Sequence, residues 1–397
     1  MAFKSLIVPA VALAGYAAAQ SNSCSTTATV TLQSQGDAAA LAGCTTFSGS
    51  IAIETGVSTG ISLDGIEEIT GDLVAKNATF VPSLEASSLQ SIGGTFSLAE
   101  MTLLTSLTFP QLTSVANILW VTLPRLSSLG FTSGVTQATS VSITDTQLGS
   151  LQGLILQSVK QMILSNNNQL NEVDLPIKNI DTAFSVEFNG RNMTINLPNL
   201  VTAYNMTFRN VSELNMPSLA GVNASLGFYG CDFSDFALPN ITSVGGDISF
   251  IGNDEVTNIT MPQLSHLTGA LQMSANAALL DINGFPDLSQ VGGAIDINGN
   301  FTNVTLPALK NVQGACNLQS TADISSTCTT FNNLHSSGTI QGKVTCAGKE
   351  SNPGGLGSSP SSSSTSTQKG EAGRDMYARS SAVTGVLGVF AALLGML

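Results

Sequence analysis

Reaction chemistry in this chain would have to come from 26 acidic residues, two histidines, six cysteines and an abundance of serine and threonine. The acidic residues form local pairs, Glu67 with Glu68 and Asp254 with Glu255. Glycoside hydrolysis needs two carboxyl groups roughly 5–9.5 Å apart across one bond. Neighbouring residues of an extended chain point to opposite faces, so these pairs read as solvated turns. His266 occupies a turn slot where equivalent segments carry Ser243, Gln290 and Asn311, which shows no demand for an imidazole, and His335 belongs to a C-terminal cap. No CxxC or histidine pair offers a metal site. Trp120, two residues after Ile118, reads as core, and Tyr204 and Tyr229 are too scattered for a sugar-stacking platform. No catalytic residue, metal ligand or cofactor is assigned, and the chain reads as a non-enzyme.

The elements that would position any site come from a repeat. Prolines at 176, 198, 217, 239, 262, 286 and 307 recur every 19–24 residues, and those at 82, 110 and 124 read as part of the same set. Nine of the ten begin Pro-x-Leu or Pro-x-Ile, Pro176 being the exception. Gly246, Gly269 and Gly293 lead into Ile248-x-Phe250, Leu271-x-Met273 and Ile295-x-Ile297, and three places later stand Asn253, Asn276 and Asn300. Earlier coils read Leu226-x-Phe228-x-x-Cys231 and Met162-x-Leu164-x-x-Asn167. Apolar-x-apolar-x-x-Asn is the strand half of a leucine-rich repeat. Two apolar residues separated by one point to one face of a strand, and stacking coils merges those faces into one core. The rest of each coil is too short and too rich in Gly, Pro, Ser and Thr for a helix. The expected fold is a mostly β, right-handed parallel solenoid of about 13 coils and ~60 Å length at the usual strand spacing. In its columns Asp247 aligns with Ala270 and Ala294, and Asp296 with Ser249 and Gln272, so carboxylates do not face one another from coil to coil.

The same columns sort the cysteines. Cys316 falls with Ile248, Leu271 and Ile295, and Cys231 with Asn253, Asn276 and Asn300, both ordinary places for a buried thiol. They lie about four coils apart, too far for the 4.4–6.8 Å Cα separation of a disulfide. The expected bridges are Cys24–Cys44 and Cys328–Cys346, each closing one end of the stack, with loops of about 20 residues worth on the order of 3 kcal/mol.

Both termini carry processing signals. Lys4, the apolar run Leu6–Ala19 and the small residues Ala17, Ala18 and Ala19 before Gln20 form a secretory signal peptide over residues 1–19. Small residues (Gly370, Ala372), a polar spacer Gly373–Ser381 and an apolar tail Ala382–Leu397 form a glycosylphosphatidylinositol (GPI) attachment signal, with Gly370 as the site. The competing reading is a transmembrane helix, but 16 residues span about 24 Å against roughly 30 Å of hydrocarbon. The expected organisation is a solenoid over 20–347, with caps over 20–45 and 316–347 and a seam near 130–161. A Ser/Thr/Pro-rich stalk over 348–370 and a propeptide over 371–397 follow.

Nine sequons (Asn77, Asn192, Asn205, Asn210, Asn223, Asn240, Asn258, Asn300 and Asn303) behind a signal peptide mark a glycoprotein. Without its terminal signals the chain keeps ten basic and 24 acidic residues, which argues against nucleic acid as a partner.

The Pro-x-Leu coils, terminal cysteines, Ser-rich segment and GPI tail together resemble the fungal GPI-anchored cell-wall organisation proteins, whose ectodomain is similar to receptor L domains. The resemblance covers roughly residues 20–397. It implies an extracellular protein held to the outer leaflet of the plasma membrane by its lipid, or placed in the wall, with wall glucan or wall proteins as partners. Its oligomeric state is left open. The expected function is non-enzymatic support of wall organisation; the alternatives are a receptor-like module for a glycan or protein, and a wall-glycan-modifying enzyme.

Overall fold

In the computed structural model, residues 24–356 are described; the signal peptide, Gly370 and the tail lie outside them. The chain forms a parallel β-solenoid of about 13 turns. A typical turn has three sides. A short flank strand such as Ser243–Val244 is followed by a corner, a front strand Ile248–Ile251, a second corner, and a back strand Asn258–Thr260. Flank and front strands of successive turns form one 23-stranded sheet, and the back strands form four smaller ones.

Register follows the apolar pattern. Leu226, Ile248, Leu271, Ile295 and Cys316 pair in one inward column, and Phe228, Phe250, Met273, Ile297 and Leu318 in the next. All are at most 1% exposed. Rings stack along the same axis: Phe228 lies 4.6 Å from Phe250 and 5.5 Å from Phe208, centroid to centroid. Trp120 is fully buried against Phe96 and Phe131.

From Leu73–Lys76 to Leu271–Ser274 each front strand ends in a left-handed residue, in sequence Asn77, Glu100, Thr122, Asp145, Asn166, Phe188, Asn210, Gly230, Gly252 and Ala275. The residue after it turns inward. Where that residue is Asn, it closes a ladder. Asn253 Oδ1 accepts the Cys231 N–H at 2.8 Å, and its Nδ2 donates to Phe228 O at 3.2 Å and Asn276 Oδ1 at 3.1 Å. Asn167 and Asn189 repeat the arrangement beneath Thr146. Asn300, which the motif aligns with Asn253 and Asn276, is outside it. Gly299 has φ +154 instead of the left-handed value, so the corner opens and Asn300 Nδ2 bonds Ala277 O at the surface.

Further expectations are revised. Pro82 stands level with Thr105 beside the back strands, and Pro124 follows Leu123 at the front–back corner; neither shares the column of Pro110, Pro239 or Pro262. Their Pro-x-Leu strings coincide with the motif because Leu recurs at every corner. His266 begins the two-residue strand His266–Leu267, paired between Ser243 and Gln290, and is not in a turn. At 130–161 the main sheet runs unbroken through Gln137–Thr146 and Ser158–Ser165. Only the back side is interrupted there, by single bridges Thr108–Gly130 and Val135–Leu154. The described part of the chain stays packed on the solenoid past 347 to Leu356, into the span expected to be stalk.

Disulfides Cys24–Cys44 and Cys328–Cys346 lie at the two ends, the first beside the short helix Gln35–Ala40 and the second joining the helix Ser325–Ser336 to the strand Val344–Ala347. Cys231 and Cys316 are buried free thiols, pushed by burial to about 11 and about 12.

Candidate functional site

The longest regular surface is the outward face of the front strands. One outward column runs Val74, Ser97, Leu119, Ser142, Ile163, Ser185, Thr207, Gly227, Ser249, Gln272, Asp296, Asn317. The next includes Thr144, Ser165, Glu187, Arg209, Tyr229, Ile251, Ser274, Asn298 and Gln319. Hydroxyl and amide groups recur along these columns at multiples of the strand spacing of about 4.8 Å, interrupted by Val74, Leu119, Ile163, Gly227 and Ile251. Such rows suit an extended polymer that crosses the strands.

Charge and aromatic character meet at the middle of this face. Arg209 Nε lies 3.0 Å from Glu187 Oε2, with both side chains about a quarter exposed (26% and 24%). The guanidinium sits 4.2 Å from the Tyr229 ring centroid, and Ser185 donates to the other Glu187 oxygen. A Cβ at Gly227 would fall 2.6 Å from the Tyr229 ring, so only glycine seats the ring there. The ion pair and the cation–π contact are each worth under about 1 kcal/mol at this exposure. The cluster therefore orders surface groups more than it stabilises the fold.

The sequence-derived chemistry is dispersed. All four paired acids are exposed; Asp254 and Glu255 lie in a turn as expected, but Glu68 begins the flank strand Glu68–Ile69, paired between Thr46 and Ser91, with Glu67 just before it. Asp247 is committed to the fold, accepting the Ala270 N–H at 2.7 Å. Asp64 accepts from Ser62 and Ser87, which hold its carboxyl below the usual range. Among the described residues no three His, Cys, Asp or Glu side chains gather as a metal site. The depression lined by Met273, Leu279, Ile282, Ile297 and Phe301 holds no carboxylate or histidine. The string Gly56-Val57-Ser58-Thr59-Gly60 has the Gly-x-Ser-x-Gly spacing of a nucleophile elbow. Ser58 lies exposed between the strands Ile51–Ile53 and Ile61–Ser62, with no helix after it, and His266 is on the order of 40 Å further along the stack.

None of the nine sequon asparagines lies within a strand of the main sheet. Asn77, Asn210 and Asn300 stand at front–back corners, Asn223 at the flank–front corner and Asn240 behind Pro239. Asn192, Asn258 and Asn303 precede or begin back strands, and Asn205 comes just before the front strand Met206–Arg209. Six are exposed; Asn205, Asn300 and Asn303 are half-buried. The row of main-sheet strands is the regular surface that carries no acceptor site.

Comparison with known proteins adds the family. The family model described as Ecm33, GPI-anchored cell wall organization protein, matches residues 1–42. Protein ecm33 of Aspergillus fumigatus is 38% identical over 99% of both chains. The chain belongs to the Ecm33 family. A cell surface GPI-anchored protein of Arthroderma benhamiae is 40% identical over 89% of both chains. The family likeness extends to Candida albicans, whose cell surface GPI-anchored protein ECM33 is 30% identical over 86% of this chain and 83% of its own. No solved structure matches.

Proposed function

We propose that this protein is a non-enzymatic surface glycoprotein that supports cell-wall organisation by laying the front face of its main sheet against wall material, glucan or a wall protein. A signal peptide over 1–19 sends it out of the cell. A GPI lipid on Gly370, exposed by removal of 371–397, holds it at the plasma membrane or is the remnant through which it enters the wall. Glycans on Asn77, Asn192, Asn205, Asn210, Asn223, Asn240, Asn258, Asn300 and Asn303 clothe the corners and back. The observation that carries this reading is the placement of the sequons: none lies on a front strand, so sugars at these sites would stand at the corners and on the back and leave the front strands themselves clear. The names of the relatives, which speak of the cell wall and cell surface, supply the process.

The test puts a glycan where none belongs. Leu119 is 41% exposed on the front face. Leu119→Asn with Val121→Thr creates Asn-Trp-Thr, whereas Leu119→Asn alone creates no sequon. In a strain lacking the gene, the single variant is expected to restore resistance to wall-binding dyes. The double variant is expected to reach the surface and fail to restore it. Full rescue by a double variant that carries the added glycan would refute the role of this face. A receptor-like reading draws on the Glu187–Arg209–Tyr229 cluster, and Arg209→Ala tests it: lost rescue with normal surface display favours a recognised ligand.

A further inference from the structure

Beyond the last front strand, Val344–Ala347, the chain does not leave from the end of the stack. It turns back. Lys349 N–H donates to Ala322 O and Glu350 N–H to Ser320 O, while Lys349 Nζ pairs with Asp323 at 2.7 Å. Residues further along then cross the outside of the front strands Cys316–Ser320 and Ile295–Gly299. Gly354 N–H donates to Gln319 Oε1 at 2.9 Å, and Gly354 O accepts from Asn317 Nδ2 at 2.8 Å. Leu356 N–H donates to Asp296 Oδ2 at 2.7 Å, and Asp296 Oδ1 accepts from Asn317 Nδ2 at 2.8 Å.

These partners point outward, yet Asp296 is only 5% exposed and Asn317 2%. A carboxylate and an amide shielded to that degree on an outer face need a cover and hydrogen-bond donors. The returning segment supplies both. Its approach is close: a Cβ at Gly355 would lie 3.1 Å from Asp296 Oδ2 and 3.2 Å from Asn298 Nδ2. The columns explain the residue types. Where earlier turns place Ser249 or Ile251 facing outward, these turns place Asp296, Asn317 and Gln319, the groups that read main-chain N–H and C=O.

We propose that the outer face of the strands 295–320 is a binding trough for an extended, glycine-bearing main chain, that its resident occupant is this protein's own segment 350–356, and that Asp296 is the latch. The described chain therefore ends against the front face, two strands short of the end of the stack. It reserves the C-terminal end of that face from any outside partner while the latch is closed.

Hydrogen exchange on the secreted protein in solution tests the latch, independently of whether Gly370 carries a lipid. The amides of Gly354 and Leu356 are expected to exchange at least about tenfold more slowly than in a free peptide of the same sequence. Gly355→Val, which changes the segment and leaves the solenoid untouched, is expected to bring both to the free-peptide rate. Asp296→Ala is expected to release Leu356 about tenfold or more, while Asp296→Asn, whose amide oxygen can still accept, retains part of the protection. Amides of the front strand Ile248–Ile251 serve as the folding control. Free-peptide exchange at 354 and 356 in the unaltered protein, or protection unmoved by Gly355→Val and Asp296→Ala with that control intact, overturns the proposal.

Discussion

A single added methyl group tests the stacking of the coils. Gly269, Gly293, Gly314 and Gly342 occupy one column at the flank–front corner, each packed on the backbone of the turn before. A Cβ on Gly293 would sit 2.7 Å from both Gly269 C and Ala270 N, and 2.8 Å from Gly269 O. Ordinary contact begins near 3.4 Å, so the corner must rise by something like 0.7 Å in a stack whose repeat is about 4.8 Å. Two bonds span the gap, Gly293 N–H to Gly269 O at 2.9 Å and Gly314 N–H to Gly293 O at 3.0 Å. Lengthening the first by that amount removes it, at about 1 kcal/mol, and overpacking adds about 1–3 kcal/mol. Gly293→Ala should thus destabilise the solenoid by about 3 kcal/mol. Gly56 provides the control: exposed in a turn, with negative φ and nothing within 4 Å of its added Cβ. Gly56→Ala should stabilise by about 0.5 kcal/mol through the unfolded chain. Urea midpoints of the two secreted variants, compared with wild type, give the result. Equal midpoints for both, or a Gly293→Ala midpoint at the wild-type value, would refute the close-approach reasoning.

Two further outcomes follow from the interior. Asn253→Ala strands the Cys231 N–H and the Phe228 carbonyl in a buried corner and should cost about 3 kcal/mol by the same urea assay, whereas Asn300→Ala, at the surface, should cost less than about 0.5 kcal/mol; similar costs would deny the ladder its role. Burial holds the Cys231 and Cys316 thiols to about 11 and about 12, against an ordinary value of 9.0 once unfolded. Below pH 9 both states keep these protons, and above it the unfolded chain releases them first. Stability should fall as pH rises from 9 toward 11, by up to about 1.4 kcal/mol per pH unit for each thiol. Replacing both cysteines by alanine should flatten that slope, and an unchanged slope in melting temperature against pH would count against it.

The inward columns were legible because burial demands Leu226, Ile248, Leu271 and Ile295 at one phase of a strand, and nothing else in the coil imitates that pattern. Their phase also placed Cys316 in the core and set it apart from the terminal cysteines. The proline column was less dependable. Proline is excluded only where an N–H is needed, so it recurs at more than one corner, and Pro82 and Pro124 met the motif without sharing the position. Asn300 failed for a local reason: the turn depends on the φ of Gly299, which no side-chain pattern reports. The two-residue flank strands, His266–Leu267 among them, exist only through the coils on either side, and read singly they look like turns. The segment at 350–356 was hidden by composition. Pro353, Gly354 and Gly355 bury no apolar side chain, and what orders them is a set of hydrogen bonds to residues 35 to 60 positions earlier.

The front face owes its freedom from sequons to the same corner geometry that stacks the coils. Ten successive front strands end in a left-handed residue, and asparagine accepts that conformation more readily than other side chains. Asn77 and Asn210 fill it at front–back corners, and Asn192 takes the same conformation just ahead of a back strand. All three are exposed and open a sequon. An asparagine there satisfies the backbone and offers its amide to solvent at once, so glycan acceptors arise at corners with no cost to the sheet. An asparagine within a front strand gains nothing from its conformation, and a glycan on it would stand over neighbouring rungs only about 4.8 Å away. Turn chemistry and glycan placement therefore favour the same positions, and the rows of Ser, Thr and Gln between them remain open for contact with another molecule.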